Sequence, residues 1–339
     1  IFRTCNNSYF FLSVLYPYHT TINVPIPRNL IFFFHFFNNL FFLPFVFGCA
    51  KICFASEFES QKKPERMRFF MEKDMTKGHP LAVILKFTLP LLIGNVFQQL
   101  YNMADTIIVG RCVSADALAA VGSTGTIMFL IVGFAQGITA GFTILTSQRF
   151  GARDTDGVKR SVANGILLSV ICTIILTGVS LLCMRPLLKL MNTPDNIFDD
   201  AYSYIMIISG GLVTTVFYNL FSSYLRAVGN SQIPLVFLVF SAVLNVILDL
   251  VFIATFHMGV SGAGYATILS QGISAVLCLI YIYLRMPALR PEKSHWKLRA
   301  KESRQQMTMG IPMALQFAIT ASGTMIMQSA INIFGSDAV

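Results

Sequence analysis

The sequence predicts an all-α polytopic membrane protein, and three observations carry that expectation. Hydrophobic residues make up 55% of the 339-residue chain and charged residues only 12%, with a mean hydropathy of +0.65. Soluble chains carry about 25% charged residues. Beyond residue 80 the apolar residues fall into long runs separated by short polar loops, and about twenty residues at 1.5 Å rise cross the ~30 Å hydrocarbon core. Most lysines and arginines lie in loops rather than in the runs, as membrane topology requires.

The predicted spans are 82–110, 117–147, 161–184, 201–225, 233–256, 260–284 and 305–335. Lipid offers no partner to backbone N–H and C=O groups, so each span is a helix or part of a closed barrel. Barrel strands are about ten residues long and alternate in polarity; these runs do neither. The loops around 149–160, 226 and 285–304 hold twelve basic residues, against three (Arg111, Arg185 and Lys189) in the opposite loops. The positive-inside rule then places the N-terminus and the basic loops in the cytoplasm, making this a multi-pass protein of the cytoplasmic membrane.

The net charge of +9 would suit a nucleic acid, but the basic residues form no basic-aromatic face, so lipid is the expected surroundings and no nucleic-acid partner is expected. Seven cysteines lack CxxC spacing, and Cys172, Cys183 and Cys278 read as small core residues. No metal site is expected beyond a possible Na⁺ site, and no cofactor.

Residues 1–66 lack methionine and are crowded with Phe, Asn and Ile. They read as a non-native, upstream-translated extension, with the start at Met67, Met71 or Met75. The alternative is an extra anchor over 30–55. The seventh span opens as the first does: Gly310-Ile311-Pro312-Met313-Ala314 parallels Thr88-Leu89-Pro90-Leu91-Leu92. Gly335-Ser336-Asp337-Ala338-Val339 echoes Ser114-Ala115-Asp116-Ala117-Leu118. A six-helix repeat is a recurring transporter plan. The expected organisation is an extension over 1–70, a six-helix N-lobe over 71–284, a basic cytoplasmic linker over 285–304, and over 305–339 the first helix of a second lobe that the chain leaves incomplete.

Two aspartates stand out. Asp105 is the only ionisable residue between Phe87 and Gly110, and Asp249 is alone between Ile233 and Phe256. A carboxylate at such depth is costly, and intramembrane acids usually mark ion or proton sites. Asn95, Gln98, Gln99 and Asn102 lead up to Asp105, and the 95, 98, 102, 105 spacing predicts one polar face lining a bundle interior or a water-filled cavity. Asn245 lies four residues before Asp249, and Thr267 sits mid-helix in the sixth span. Two carboxylates, an amide oxygen and a hydroxyl offer hard oxygen ligands suited to Na⁺. The carboxylate pair alternatively shares a proton, and Asn245 and Thr267 alternatively make interhelical hydrogen bonds. In the seventh span, Gln316 and Thr320 are further cavity candidates. Tyr202, Tyr204, Phe217 and Tyr218 suit a cavity or plain packing. Gly133, Gly137 and Gly141 recur at intervals that permit close helix approach.

These segments resemble the multidrug and toxic compound extrusion (MATE) family from about Met71 onward. The strongest pieces are Pro90-Leu91-Leu92-Ile93-Gly94-Asn95 with Gln98-Gln99-Leu100-Tyr101-Asn102-Met103-Ala104-Asp105, then Ala117-Leu118-Ala119-Ala120-Val121-Gly122, Ser147-Gln148-Arg149-Phe150-Gly151-Ala152, Arg226-Ala227-Val228-Gly229-Asn230 and Leu244-Asn245-Val246-Ile247-Leu248-Asp249. The resemblance implies twelve helices in two pseudo-symmetric lobes and a monomeric, non-enzymatic antiporter. It also implies export of small-molecule drugs or metabolites, cationic and amphipathic, coupled to Na⁺ or H⁺. By resemblance the N-lobe cation site falls on Asp105, Asn245, Asp249 and Thr267. The seventh span lacks the carboxylate that some relatives carry there, which puts a C-lobe cation site in doubt. With half the cavity missing, transport by this chain alone is not expected. The related lipid-linked oligosaccharide flippases are the alternative.

Overall fold

The computed structural model describes residues 80–333. The chain divides into two units, Ile1–Ser60 and Gln61–Val339, and everything below concerns the second. The expected extension over 1–70, the apolar run 30–55, the three candidate starts and the repeat echo at 335–339 lie outside the described residues.

The described chain is helical almost throughout: α1 (Pro80–Cys112), α2 (Ala115–Gly151), α3 (Thr155–Leu190), α4 (Asp195–Gly210), α5 (Leu212–Ala227), α6 (Gln232–Asp249), α7 (Gly259–Arg285) and α8 (Ala300–Asn332). Six helical stretches are long and apolar enough to cross a membrane, and the bent pair α4–α5 makes a seventh. The expected seven spans are therefore present, with two revisions. The fourth span starts at Asp195 and is not one straight helix; it bends by 49° at Gly211. A Cβ at Gly211 would strike Ile268 of α7, so this glycine sits where another helix crosses. The fifth span does not stay α-helical, but widens into a π-helical turn over Leu250–Thr255 immediately after Asp249.

Local chemistry closes the turns. Ser114 Oγ accepts from Ala117 N at 3.0 Å, and Asp154 Oδ1 from Gly157 N at 2.8 Å, each capping a helix start whose amides lack partners. Arg153, Asn192 and His257 take positive φ (59°, 52° and 52°) in the tight turns. Inside the helices, Ser123, Thr139, Thr143 and Thr173 donate to carbonyls one turn earlier, so these hydroxyls cost little in an apolar setting.

Helix α2 is the hub, packing against α1, α3, α4, α5 and α8. Its tightest seam is with α8, where the expected glycine row fits. A Cβ on Gly137 would lie 2.7 Å from Ala314 Cα, one on Gly141 would strike Gly310, and one on Gly133 would lie 3.3 Å from the Phe317 ring. Between membrane helices the hydrophobic driving force is weak, and close backbone approach supplies the attraction instead. At one end of the bundle the seam becomes polar. Gln306 Nε2 donates to Ser161 O (2.8 Å) and Phe142 O (3.2 Å), while Asn164 Nδ2 donates to Gln306 Oε1 (2.8 Å). Arg149 pairs with Glu302 at 3.2 Å.

The stretch 285–304 is more than a basic tether. It carries two short 3₁₀ turns, and α8 already starts at Ala300. Lys159 Nζ lies 2.6 Å from Glu292 Oε1, and this pairing holds the Glu292 carboxyl below the usual carboxylate range.

The α2–α8 seam yields a test. Gly137→Leu should destabilise the protein by about 1–3 kcal/mol through overpacking, read as a lower unfolding temperature in detergent. Gly178→Ala, with nothing within 4 Å of its Cβ, should leave the temperature unchanged or raise it, since alanine is the better helix former.

Candidate functional site

Four of the expected site residues are brought together. Asp105 lies near the end of α1; Asn245 and Asp249 occupy the last turn of α6, and Thr267 projects from α7. Asn245 and Asp249 are 0% exposed, Thr267 5% and Asp105 8%. Asn245 Nδ2 donates to Thr267 Oγ1 at 3.3 Å, and Tyr101 Oη lies 3.4 Å from the same oxygen. The Asp105 and Asp249 carboxyls lie within electrostatic reach of each other. Their surroundings are apolar: Ile108, Val109, Tyr204, Ile208, Ile253, Val260 and Ala263 form a packed cluster around this end of α1 and α7.

The hydrogen-bond inventory of the site is lopsided. Asp105 Oδ1, Asn245 Oδ1 and both carboxylate oxygens of Asp249 are buried and find no donor among the described residues. Buried polar atoms are normally satisfied, and an orphaned one costs about 1–3 kcal/mol. Four acceptor oxygens on three side chains, without a donor, suit a small cation or a proton. Two tyrosines neighbour these acids: the sequence offers Tyr204 only as a cavity or packing residue and does not single out Tyr101. Tyr101 sits one turn before Asp105, and Tyr204 of α4 lies in the electrostatic range of both aspartates. Tyr101 has a signal in its i, i+4 spacing to Asp105; Tyr204 has none, because buried tyrosines usually pack.

The remaining candidates do not join this cluster. Helix α1 runs along α6 at the edge of the bundle, with a row of apolar residues exposed, including Leu92, Val96, Leu100 and Met103. Of the polar residues at 95, 98, 102 and 105 only Asp105 is buried. Asn95 and Gln98 line an open cleft with Tyr218, Asn219 and Arg226 of α5 and Leu238 of α6. Gln99 and Asn102 are exposed and bond each other at 3.3 Å. Gln316 and Thr320 are exposed on α8 and outside that cleft, the Thr320 hydroxyl donating to the Gln316 carbonyl at 3.0 Å. They face away because α8 turns its small residues, not its amides, to α2. Another polar contact, Gln136 Nε2 to Asn219 Oδ1 at 3.2 Å, joins α2 to α5 in the half-buried interior.

A bundle of membrane-spanning helices with an oxygen-lined acidic site between its first, fifth and sixth spans is the architecture of a transporter lobe. Residues 90–251 match the MatE family model. The chain is 31% identical over 268 residues to "Probable multidrug resistance protein YpnP" of Bacillus subtilis, a match covering 78% of this chain and 59% of the relative. Two solved structures of a multidrug resistance MATE family transporter of the MOP superfamily are similar. The inward-facing one has a TM-score of 0.68 at 25% identity, covering 76% of this chain and 58% of that one. The outward-facing one has the same TM-score at 26% identity, covering 76% and 56%. Residues 90–251 are MATE-family sequence by that match, and the chain spans less than two thirds of the length of these relatives.

The Thr267 hydroxyl is the joint of the site's neutral half. Thr267→Ala should strand the buried Asn245 amide and cost about 1–3 kcal/mol, lowering the unfolding temperature in detergent. Thr267→Ser, which keeps the hydroxyl, should retain most of the parent stability.

Proposed function

We propose that this chain is the N-lobe part of a cation-coupled antiporter that exports organic, cationic amphipathic compounds. The observation that carries the proposal is the meeting of Asp105, Asn245, Asp249 and Thr267 around four buried oxygens without donors. Na⁺ or H⁺ entering from outside loads the Asp105–Asp249 pair and cancels its mutual repulsion. Loading stabilises one arrangement of α1 against α6 and so biases alternating access, because an ion shifts an equilibrium only by its differential affinity for the two states. The equal TM-scores to inward- and outward-facing structures support a lobe that keeps its internal shape while it moves. The basic-loop asymmetry supports an N-terminus on the cytoplasmic side of the cytoplasmic membrane. The oligosaccharide-flippase alternative is not favoured, since it calls for a strongly cationic cavity and Lys86 near the start of α1 is the only lysine or arginine in the interior of a predicted span.

Two measurements test this reading. The purified chain should unfold at a higher temperature in sodium chloride than in choline chloride, by mass action on the folded state. Asp105→Asn and Asp249→Asn should abolish that rise if the coupling ion is Na⁺. In a version with a complete second lobe, Asp105→Asn should eliminate dye efflux driven by either a sodium or a proton gradient. Efflux that persists in that variant would sink the assignment, and the gradient that drives the parent names the ion.

A further inference from the structure

The linker between α7 and α8 is pinned to α3 at two depths. His295 Nε2 lies 2.8 Å from Asp156 Oδ1, and the Arg299 backbone N–H donates to Asn164 Oδ1 at 3.0 Å. Those anchors are about 12 Å apart along α3 at 1.5 Å per residue. Arg160 is the last charge before the charge-free stretch that starts at Ser161. The segment from Trp296 to Leu298 is therefore held between the polar end of α3 and the first turn of its apolar stretch, which is the depth of lipid headgroups.

Two apolar side chains are exposed at that depth, Trp296 at 46% and Leu298 at 53%. The acidic groups nearby are already matched: Glu292 by Lys159, Asp156 by Arg160 and His295, and Glu302 by Arg149. Lys293, Lys297 and Lys301 are exposed and have no ion pair among the described residues. On adjoining α7, the exposed row Leu269, Ile273, Val276, Ile280 ends at exposed Tyr283, whose ring lies 3.9 Å beneath the Arg290 guanidinium. Aromatic rings with an apolar body and a polar edge favour the membrane–water boundary, and unpaired lysines beside it attract anionic lipid.

We propose that the α7–α8 linker is a membrane-interface anchor, with Trp296 and Leu298 seated among the headgroups and Lys293, Lys297 and Lys301 holding the phosphates of anionic phospholipids. The surplus of positive charge around an apolar pair at headgroup depth favours this occupant over a soluble protein or a nucleic acid. The anchor fixes the base of α8 against the bilayer on the side where α2 and α8 pack most closely.

Trp296 is the only tryptophan in the chain, so its fluorescence reports on this site alone. The full chain is reconstituted in phosphatidylcholine vesicles, with or without phosphatidylglycerol, and with ordinary or brominated acyl chains. The expected result is a loss of emission in brominated lipid and a shift to shorter wavelength when phosphatidylglycerol is added. The triple variant Lys293→Gln, Lys297→Gln, Lys301→Gln should lose the phosphatidylglycerol response. Emission that ignores brominated lipid and is freely quenched by aqueous acrylamide overturns the anchor in the parent chain, with no variant needed. A phosphatidylglycerol response that is absent from the parent, or the same in the triple variant, overturns the part assigned to the lysines.

Discussion

Hydrocarbon offers no hydrogen bond, and that constraint organises the rest of the molecule. Backbone groups answer it by forming helices. Serines and threonines answer it by bonding back to their own helix, as Thr139 does to Ala135 O and Thr173 to Ser169 O. Long polar side chains answer it by pairing across helices, as Gln306 does with Asn164 and two carbonyls. Scattered atoms such as Ser209 Oγ, Ser274 Oγ and Glu302 Oε2 also go unanswered among the described residues, but the oxygens of Asp105, Asn245 and Asp249 do so together. In a membrane bundle an unanswered acceptor is expensive enough to mark where a ligand belongs.

The same constraint explains the division of labour between α2 and α1. Helix α2 is surrounded by other helices and uses glycine to admit them, so its contacts rest on backbone proximity. Helix α1 is bordered chiefly by α6 and leaves an apolar row exposed, with only its last third drawn into the core at Asp105, Ile108 and Val109.

Much of this was legible in the sequence. The apolar runs identified the spans because lipid-facing helices need length and little else, and the two aspartates announced themselves as the only charges in their runs. The glycine row foretold a close helix approach because its spacing is local, though not that α8 would be the partner. What stayed hidden depends on distant partners. The spacing of Asn95, Gln98 and Asn102 reveals a shared side of α1 but not what faces it. The docking of 285–304 rests on polar contacts to Lys159 and Asp156, more than a hundred residues away. The position of Tyr204 beside the acids depends on where α4 packs against α7, which no local pattern encodes.

The break at Gly211 has a consequence for how the chain enters the membrane. Helices α4 and α5 have 16 residues each, about 24 Å, and neither alone reaches across a ~30 Å core. The insertion machinery therefore has to accept both as a single segment, flanked by Asp195 at one end and Arg226 at the other. The bend belongs to a later stage, when α7 arrives and Ile268 occupies the space a side chain at Gly211 would need. A bulkier residue there would leave insertion and topology intact and act on assembly, so its damage would appear only after every helix is already in place.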